Sequence, residues 1–479
     1  MIVPRKPLWD KGFGVFRRDF FDSVRKLAAV FLWLACVGTA DAAGLAAGPM
    51  AGHRDARSVV LWLQADAKVQ AQIEYWPAER ADQRRRSNPV MLAQSEDFAG
   101  HITLDGLAPG TAYRYRVLLD GRPVALPQEL QFRTEALWQW QKHSFIAAQG
   151  HTPPDFKLAF GACSYFNDPP FDRSLAPTGK PYGGNYEIFS SIAAQKPDVM
   201  LWLGDNTYLR KSDYGSPSGI AARFKRDRAL PELQPLLRTG HHYAIWDDHD
   251  FGPNDSNSSF IYKGETVKMF QRYWANGVYG TPEVAGIFRV VSLNDADVFL
   301  LDNRFHRDSD KLQSPGKTMF GAGQLRWLKN ALLASTANFK IIVNGNQMIK
   351  SVPPKFEGWS NFREERAEFL DWLSAQRVNG VLFLSGDRHH TVLTRLERQG
   401  AYPLLDFTCS PLTSGAHAPI KAEDMSHTDA DTLVTQRNFC TLDFSGPWGN
   451  RRLTMKSHDP SGRELWQREI NSRDLMHPR

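Results

Sequence analysis

The 479-residue sequence contains no apolar run of 18 residues, about the least that carries a helix across a bilayer, so a multi-pass membrane protein is excluded. Charge of one sign is also lacking. Lys and Arg number 58 against 52 Asp and Glu, and the first 42 residues hold 7 basic and 4 acidic of them, half of the net +6. So small an excess over so long a chain argues against a dedicated nucleic-acid-binding module. No internal repeat or low-complexity segment stands out, and 42% hydrophobic with 23% charged residues excludes a mostly disordered chain. Missing motifs narrow the chemistry. There is no H-E-x-x-H, C-x-x-C, G-x-S-x-G, G-x-x-x-x-G-K-[ST] or dinucleotide fingerprint. Zincins, zinc ribbons, serine-elbow hydrolases, P-loop enzymes and dinucleotide-binding folds are set aside on that ground. Ser410 lacks an evident partner for a nucleophile's role.

What is present begins with an address. Residues 27–37 (LAAVFLWLACV) are apolar, Arg17, Arg18, Arg25 and Lys26 precede them, and Ala40-Asp41-Ala42 follows. Basic, apolar, then A-x-A is the layout of a cleavable secretory signal. Arg17-Arg18 before Asp19-Phe20-Phe21 resembles a twin-arginine signal, which implies the twin-arginine export machinery and a periplasmic or secreted protein. The alternative for 1–42 is an amphipathic helix packed on the domain. Removing the leader, and Cys36 with it, leaves Cys163, Cys409 and Cys440. Either Cys409 pairs with Cys440 and Cys163 has another task, or all three are buried, unreactive thiols.

A chain of this length has room for two to four domains. From 50 to 135 short aromatic and β-branched runs (SVVLWLQ, VQAQIEYW, YRYRVLLDG) read as strands, with a Pro109-Gly110 turn and a Tyr113 suited to a tyrosine corner. This stretch resembles a fibronectin type III-like β-sandwich. Within it 77–100 reads as a solvated loop, although Arg84, Arg85 and Arg86 in a row would also suit an anionic surface. A linker follows at 136–156. From 157 to 470 apolar strands (KLAFGAC, VMLWLG, HYAIWDD, DVFLLDN, KIIVNGN, VLFLSGD) alternate with helical patterns (YEIFSSIAAQ, GQLRWLKNALLAS, REERAEFLDWLSAQ). That alternation predicts an α/β layered core on one sheet, with a hairpin around 459–462 in the tail.

Each of those strands stops in a polar cluster: Cys163; Asp205 to Tyr208; Asp247, Asp248, His249 and Asp250 through Asn254; Asp302-Asn303; Asn344 and Asn346; Asp387, Arg388, His389 and His390. Ligands of α/β folds bind at the carboxyl ends of strands. Carboxylates, amide oxygens and imidazoles gathered there suit two or more metal ions held about 3.5–4 Å apart, the arrangement that supports in-line displacement at phosphorus. Asp205, in its Gly-Asp turn, is the natural bridging carboxylate.

Gly161-Ala162-Cys163-Ser164, LGDNTY (203–208), WDDHD through Asn254 and SGDRHH (385–390), in this order, resemble the PhoD-type alkaline phosphatases of the calcineurin-like metallophosphoesterases. The resemblance implies an α+β sandwich core behind a β-sandwich N-terminal domain. It implies a phosphomonoesterase or phosphodiesterase using a metal-activated hydroxide, with ferric iron on Cys163, Asp205, Tyr208 and His389. Calcium would lie on Asp205, Asn254 and Asp387, with Asp255 an alternative to Asn254. Thiolate and phenolate suit a trivalent iron; carboxylate and amide oxygens suit calcium. His249 is the candidate leaving-group acid, Arg388 faces substrate phosphate or forms a surface salt bridge, and Asp247, Asp248 and Asp250 are further ligands or their supports. His390 and Arg210 are weaker candidates. The strand that begins the usual metallophosphoesterase pattern with D-x-H ends here in Cys163. The insert 211–237 is expected to shape substrate access. Two rivals remain: a phospholipase or phosphodiesterase acting on lipids or wall polymers, with Trp202, Trp246, Phe251 and Trp274 lining a wide cleft, and a non-catalytic envelope binding protein.

Overall fold

The computed structural model describes residues 43–138, 152–170, 172, 174–175, 179–353 and 355–478. The leader read over 1–42 and most of the connector lie outside the described residues. Three continuous apolar runs form adjacent parallel strands, Phe156–Gly161, Val199–Leu203 and His241–Ile245, in register from Leu158 opposite Val199 to Leu203 opposite Ile245. Three more, Ala296–Leu300, Phe339–Val343 and Val381–Ser385, do the same. The residues of the Val199–Leu203, His241–Ile245, Phe339–Val343 and Val381–Ser385 strands are all buried, which is why no apolar–polar alternation shows in their sequence.

The single sheet expected from the alternation is corrected to two. The first trio lies in a nine-stranded sheet, the second in a seven-stranded one. Phe160 of the first meets Phe407 of the second edge to face at 5.0 Å, and Phe339 meets Phe444 likewise at 5.5 Å, so the main core lies between the sheets. Helices Ala322–Ala334 and Arg363–Ala375 bury Leu328, Leu332, Phe369 and Leu373. The tail hairpin forms as Arg452–His458 paired with Glu464–Asn471.

The N-terminal strands divide. Leu45–Arg54, Val59–Ala65 and Ala99–Leu104 extend the nine-stranded sheet, and Leu45–Arg54 runs parallel to His241–Ile245. Val69–Pro77 and Ala112–Leu119 head a separate six-stranded sheet. The Tyr113 hydroxyl accepts a hydrogen bond from the Ala108 N–H at 2.9 Å, the contact of a tyrosine corner. Arg84 and Arg86 of 77–100, with Arg116 of strand Ala112–Leu119, surround Glu74 at 3.5, 3.1 and 2.6 Å. Cys409 and Cys440 are disulfide-bonded, and Cys163 is a free, buried thiol. No helix of the described residues is long and apolar enough to cross a membrane.

Candidate functional site

Four residues at the ends of the strands leave the sheet by the same device. Cys163, Asp205, Asp387 and His389 have φ of 64°, 53°, 62° and 54°. Each such non-glycine residue costs about 1–3 kcal/mol and persists only when its surroundings enforce it. Here the turns brace one another. Cys163 N–H donates to Gly204 O at 3.2 Å, Ser164 N–H to Asp205 O at 2.8 Å, and Gly386 N–H to Gly345 O at 2.8 Å. Gly204, at φ 96°, lets two turns touch: a Cβ there would lie 2.7 Å from Asp247 Cβ.

The braced turns bring donors from both sheets together. Ligand atoms of Cys163, Asp205 and His389 all lie within 4.8 Å of one another, as do those of Asp205, Asp248 and His249, and those of Asp247, Asp248 and Glu357. Cys163 Sγ is 3.6 Å from Asp205 Oδ2 and accepts a hydrogen bond from Ser410 Oγ at 3.2 Å. Tyr208 OH lies 3.3 Å from His389 Nε2, while His389 Nδ1 donates to Gly415 O at 2.6 Å. That second contact leaves Nε2 to face the cluster. The His249 ring packs on Tyr208 with centroids 4.3 Å apart, and its backbone N–H donates to Asp205 Oδ1 at 3.2 Å. A cavity of about 530 Å³ opens onto the cluster, lined by Asp205, Asp248, His249, Asp387, Arg388 and His389 among others.

Asn254 and Asp255 both line this cavity and both are exposed; the Asp255 N–H donates to Asp248 Oδ2 at 2.8 Å. Asp247 lies behind the wall. It accepts from Asn303 Nδ2 at 2.8 Å, Arg304 Nε at 2.7 Å and Asn346 Nδ2 at 3.1 Å. Asp250 is wholly buried and accepts the backbone N–H groups of Asn206, Thr207 and Asp247, tying two site turns together. His390 and Arg210 do not reach the cavity: His390 is buried and Arg210 binds Asp172 and the carbonyl of Phe166. Trp202, Trp246, Phe251 and Trp274 are core residues, each at most 2% exposed, so they line no apolar cleft. The insert 211–237 supplies none of the residues lining the cavity.

Four residues escaped the sequence reading. Arg304, wholly buried, reaches Asp247 and both oxygens of Glu357, at 2.8 Å for Oε1. Its place directly after Asp302-Asn303 at a strand end was the available signal. Glu357, Glu423 and Lys350 sit in segments without regular structure, where no spacing marks them.

The charges decide what the cluster can hold. Burial, then the negative charge of Asp205, pushes the Cys163 thiol well above its ordinary value. Burial and the carboxylates of Asp248, Asp247, Asp250 and Asp387 push Asp205 far up. Burial and then Asp205 do the same to the Tyr208 phenol. Asp387 is raised chiefly by burial, and its Oδ2 is buried without a hydrogen-bond partner. Arg304 is committed to Asp247 and Glu357, and Arg388 to Glu423. Asp248 differs: despite burial, the neighbouring His249 and Arg304 hold it below the usual carboxylate range. Thiol, phenol and two carboxyls that cannot ionise together without added positive charge form a donor set that fits metal cations.

Comparison with known proteins agrees with this geometry. Residues 158–455 match the PhoD-like phosphatase family, and residues 42–137 match a domain of unknown function, DUF7800. The chain is 23% identical to alkaline phosphatase D of Bacillus subtilis (strain 168), over 85% of this chain and 78% of that protein. A solved structure of PhoD superposes with a TM-score of 0.66 at 18% identity, covering 85% of each chain. Purple acid phosphatase PPD1 from yellow lupin seeds gives 0.60 at 10% identity, covering 89% of this chain and 75% of that one. With the family model spanning most of the chain and the strand-end donors gathered on one cavity, the chain belongs to the PhoD-like phosphatases and is a phosphoric ester hydrolase.

Proposed function

We propose that this chain is an exported, metal-dependent phosphoesterase that hydrolyses phosphomonoesters, phosphodiesters or both, with iron and calcium as its metals. The observation that carries the reading is the convergence of Cys163, Asp205 and His389 on one cavity, beside an Asp387 oxygen left without a partner. Cys163, Asp205, Tyr208 and His389 would hold ferric iron; Asp205, Asn254 and Asp387 would hold calcium, with Asp205 shared. When bound, such ions supply Lewis acidity and lower the pKa of a water in the site.

The chain's own groups do the rest. Asp248, held ionised by its neighbours, lies 3.9 Å from His249 Nε2. From there His249 gives its proton to the departing alkoxide as the phosphorus–oxygen bond breaks. Arg388, in the cavity wall, meets the non-bridging oxygens. Residues 1–42 act as the twin-arginine leader, 50–135 as an N-terminal β-sandwich domain, 136–156 as linker and 157–470 as the catalytic domain, in a periplasmic or secreted protein. The Cys409–Cys440 disulfide supports an oxidising compartment.

Asp205→Asn tests the site. Losing a shared ligand should remove several kcal/mol of transition-state stabilisation, about 10²–10³-fold in turnover of an aryl phosphate, with iron and calcium content falling together. Unchanged turnover, or zinc as the sole metal of the native protein, would overturn the assignment.

A further inference from the structure

The cavity lining mixes acidic groups with an arginine and an aromatic ring: it sets the carboxylates of Asp205, Asp248, Glu357 and Asp387 beside Arg388 and Phe356. The Arg388 side chain is 9% exposed, its guanidinium lies 4.2 Å from the centre of the Phe356 ring, and Nη2 is 2.7 Å from Glu423 Oε1. The other oxygen of Glu423, Oε2, is 2.7 Å from Lys350 Nζ. Glu423 and Lys350 are nearly sealed, their side chains 1% and 2% exposed. Arg388 Nε is buried without a hydrogen-bond partner.

Sequestering two cations around one carboxylate opposes folding unless the geometry is close, so such a triad is poorly explained by stability alone. What it achieves is placement. Stacked on Phe356 and pinned by Glu423, the guanidinium loses most of its rotamers before any ligand arrives, and the triad keeps one positive charge in excess. Glu423 Oε1 also accepts the Ile420 N–H at 3.1 Å, so the carboxylate that fixes Arg388 fixes the loop bringing His417 and Ile420 to the cavity.

We infer that Glu423 is a positioning residue that holds Arg388 as a fork for two unesterified oxygens on one phosphorus, making Arg388 the determinant of preference for phosphomonoesters over phosphodiesters. The inference rests on the phosphoesterase reading above. Its physical basis is that a planar guanidinium binds best to paired oxygens of high charge. A monoester near neutral pH offers three unesterified oxygens and close to two negative charges. A diester offers two such oxygens and one charge, and binding the metals leaves fewer free for the fork.

The test compares an aryl phosphomonoester with a bis-aryl phosphodiester on the metal-loaded, full-length enzyme. Arg388→Lys should lower the monoester-to-diester ratio of kcat/KM at least about tenfold, mainly through KM of the monoester. Glu423→Gln should move the same ratio the same way by a smaller factor. Both variants should raise the inhibition constant of inorganic phosphate. A merely structural role would lower both activities together and leave the ratio and the KM-to-kcat split where they were, which would overturn the inference. If Glu423→Gln fails to fold, the ratio and phosphate inhibition of Arg388→Lys decide. Wild-type enzyme that hydrolyses neither ester overturns the phosphoesterase reading and the fork with it. Hydrolysis abolished by Asp205→Asn, with the ratio untouched by Arg388→Lys, overturns the fork alone.

Discussion

His242 shows how burial fixes one titratable group. Trp202 Nε1–H donates to its Nδ1 at 3.1 Å and its Nε2–H donates to Leu236 O at 3.1 Å, which is the neutral ring. Burial, reinforced by the Arg228 charge, depresses its pKa to about 3. In the unfolded chain the same ring titrates near 6.5, so below that pH the unfolded state binds the extra proton. This contribution to stability is complete above pH 6.5 and is lost as pH falls toward 3, at about 1.4 kcal/mol per pH unit. Urea unfolding at pH 4–6 should show that slope reduced by about one proton in His242→Asn. A slope equal to wild type would mean the ring accepts a proton while folded. At this same scale the site was partly legible. Cys163, Asp205, Asp387 and His389 announce themselves because apolar strand runs stop at them. Glu357, Glu423 and Lys350 reach the cavity or its wall only through tertiary folding, and no local pattern precedes them. Arg388, read either as a phosphate contact or as a surface salt bridge, forms a salt bridge that is largely buried in the cavity wall.

The turns between elements carry the tightest constraint. Gly204→Ala would put a methyl 2.7 Å from Asp247 Cβ and 2.8 Å from its backbone nitrogen, at a φ of 96° that a side chain resists. Relief requires shifting 246–248 and with it Asp248 and His249. We expect a stability loss of about 1–3 kcal/mol and a disproportionate loss of turnover, read by thermal unfolding beside an aryl phosphate assay. Full activity in Gly204→Ala would show that this approach is not needed. The strands were legible because three to six consecutive apolar residues run up to turn residues. Helix Pro217–Arg228 was not, since its buried positions include Arg223 and Asp227, held in an ionic network with Asp168 and Asp213, and Arg228, whose guanidinium lies 3.9 Å from the centre of the Trp274 ring. Helix Lys263–Tyr273 buries Thr266, Met269, Phe270 and Tyr273, a helical spacing that could have revealed it.

Across the whole molecule, the sequence told that strands were buried on both faces but not what buried them. A second helical layer and a second sheet leave the same apolar signature, so the split into two sheets was hidden. Cys409 follows strand Ala401–Thr408 of the seven-stranded sheet, while Cys440 lies in Phe439–Ser445 of the nine-stranded one. The disulfide therefore links the two sheets across a sequence separation of 31. Closing a loop of that length constrains the unfolded chain by about 3–4 kcal/mol. A Cys409→Ala, Cys440→Ala variant should lose about that much in urea unfolding and still turn over substrate at 25 °C. Equal stability would show that the link adds nothing the packing does not already provide.

The strand Leu45–Arg54 has its own consequence. It lies against His241–Ile245, with Ala51 opposite His241, His241 Nδ1 donating to Gly52 O at 2.8 Å and the Tyr243 hydroxyl accepting from Arg54 N–H at 3.2 Å. The ribbon that delivers Asp248 and His249 is thus an interior strand only because the N-terminal stretch covers its flank. A recombinant fragment begun at residue 157 would bare that flank, offering unsatisfied amides and carbonyls to any passing chain, and should self-associate more readily than the longer protein.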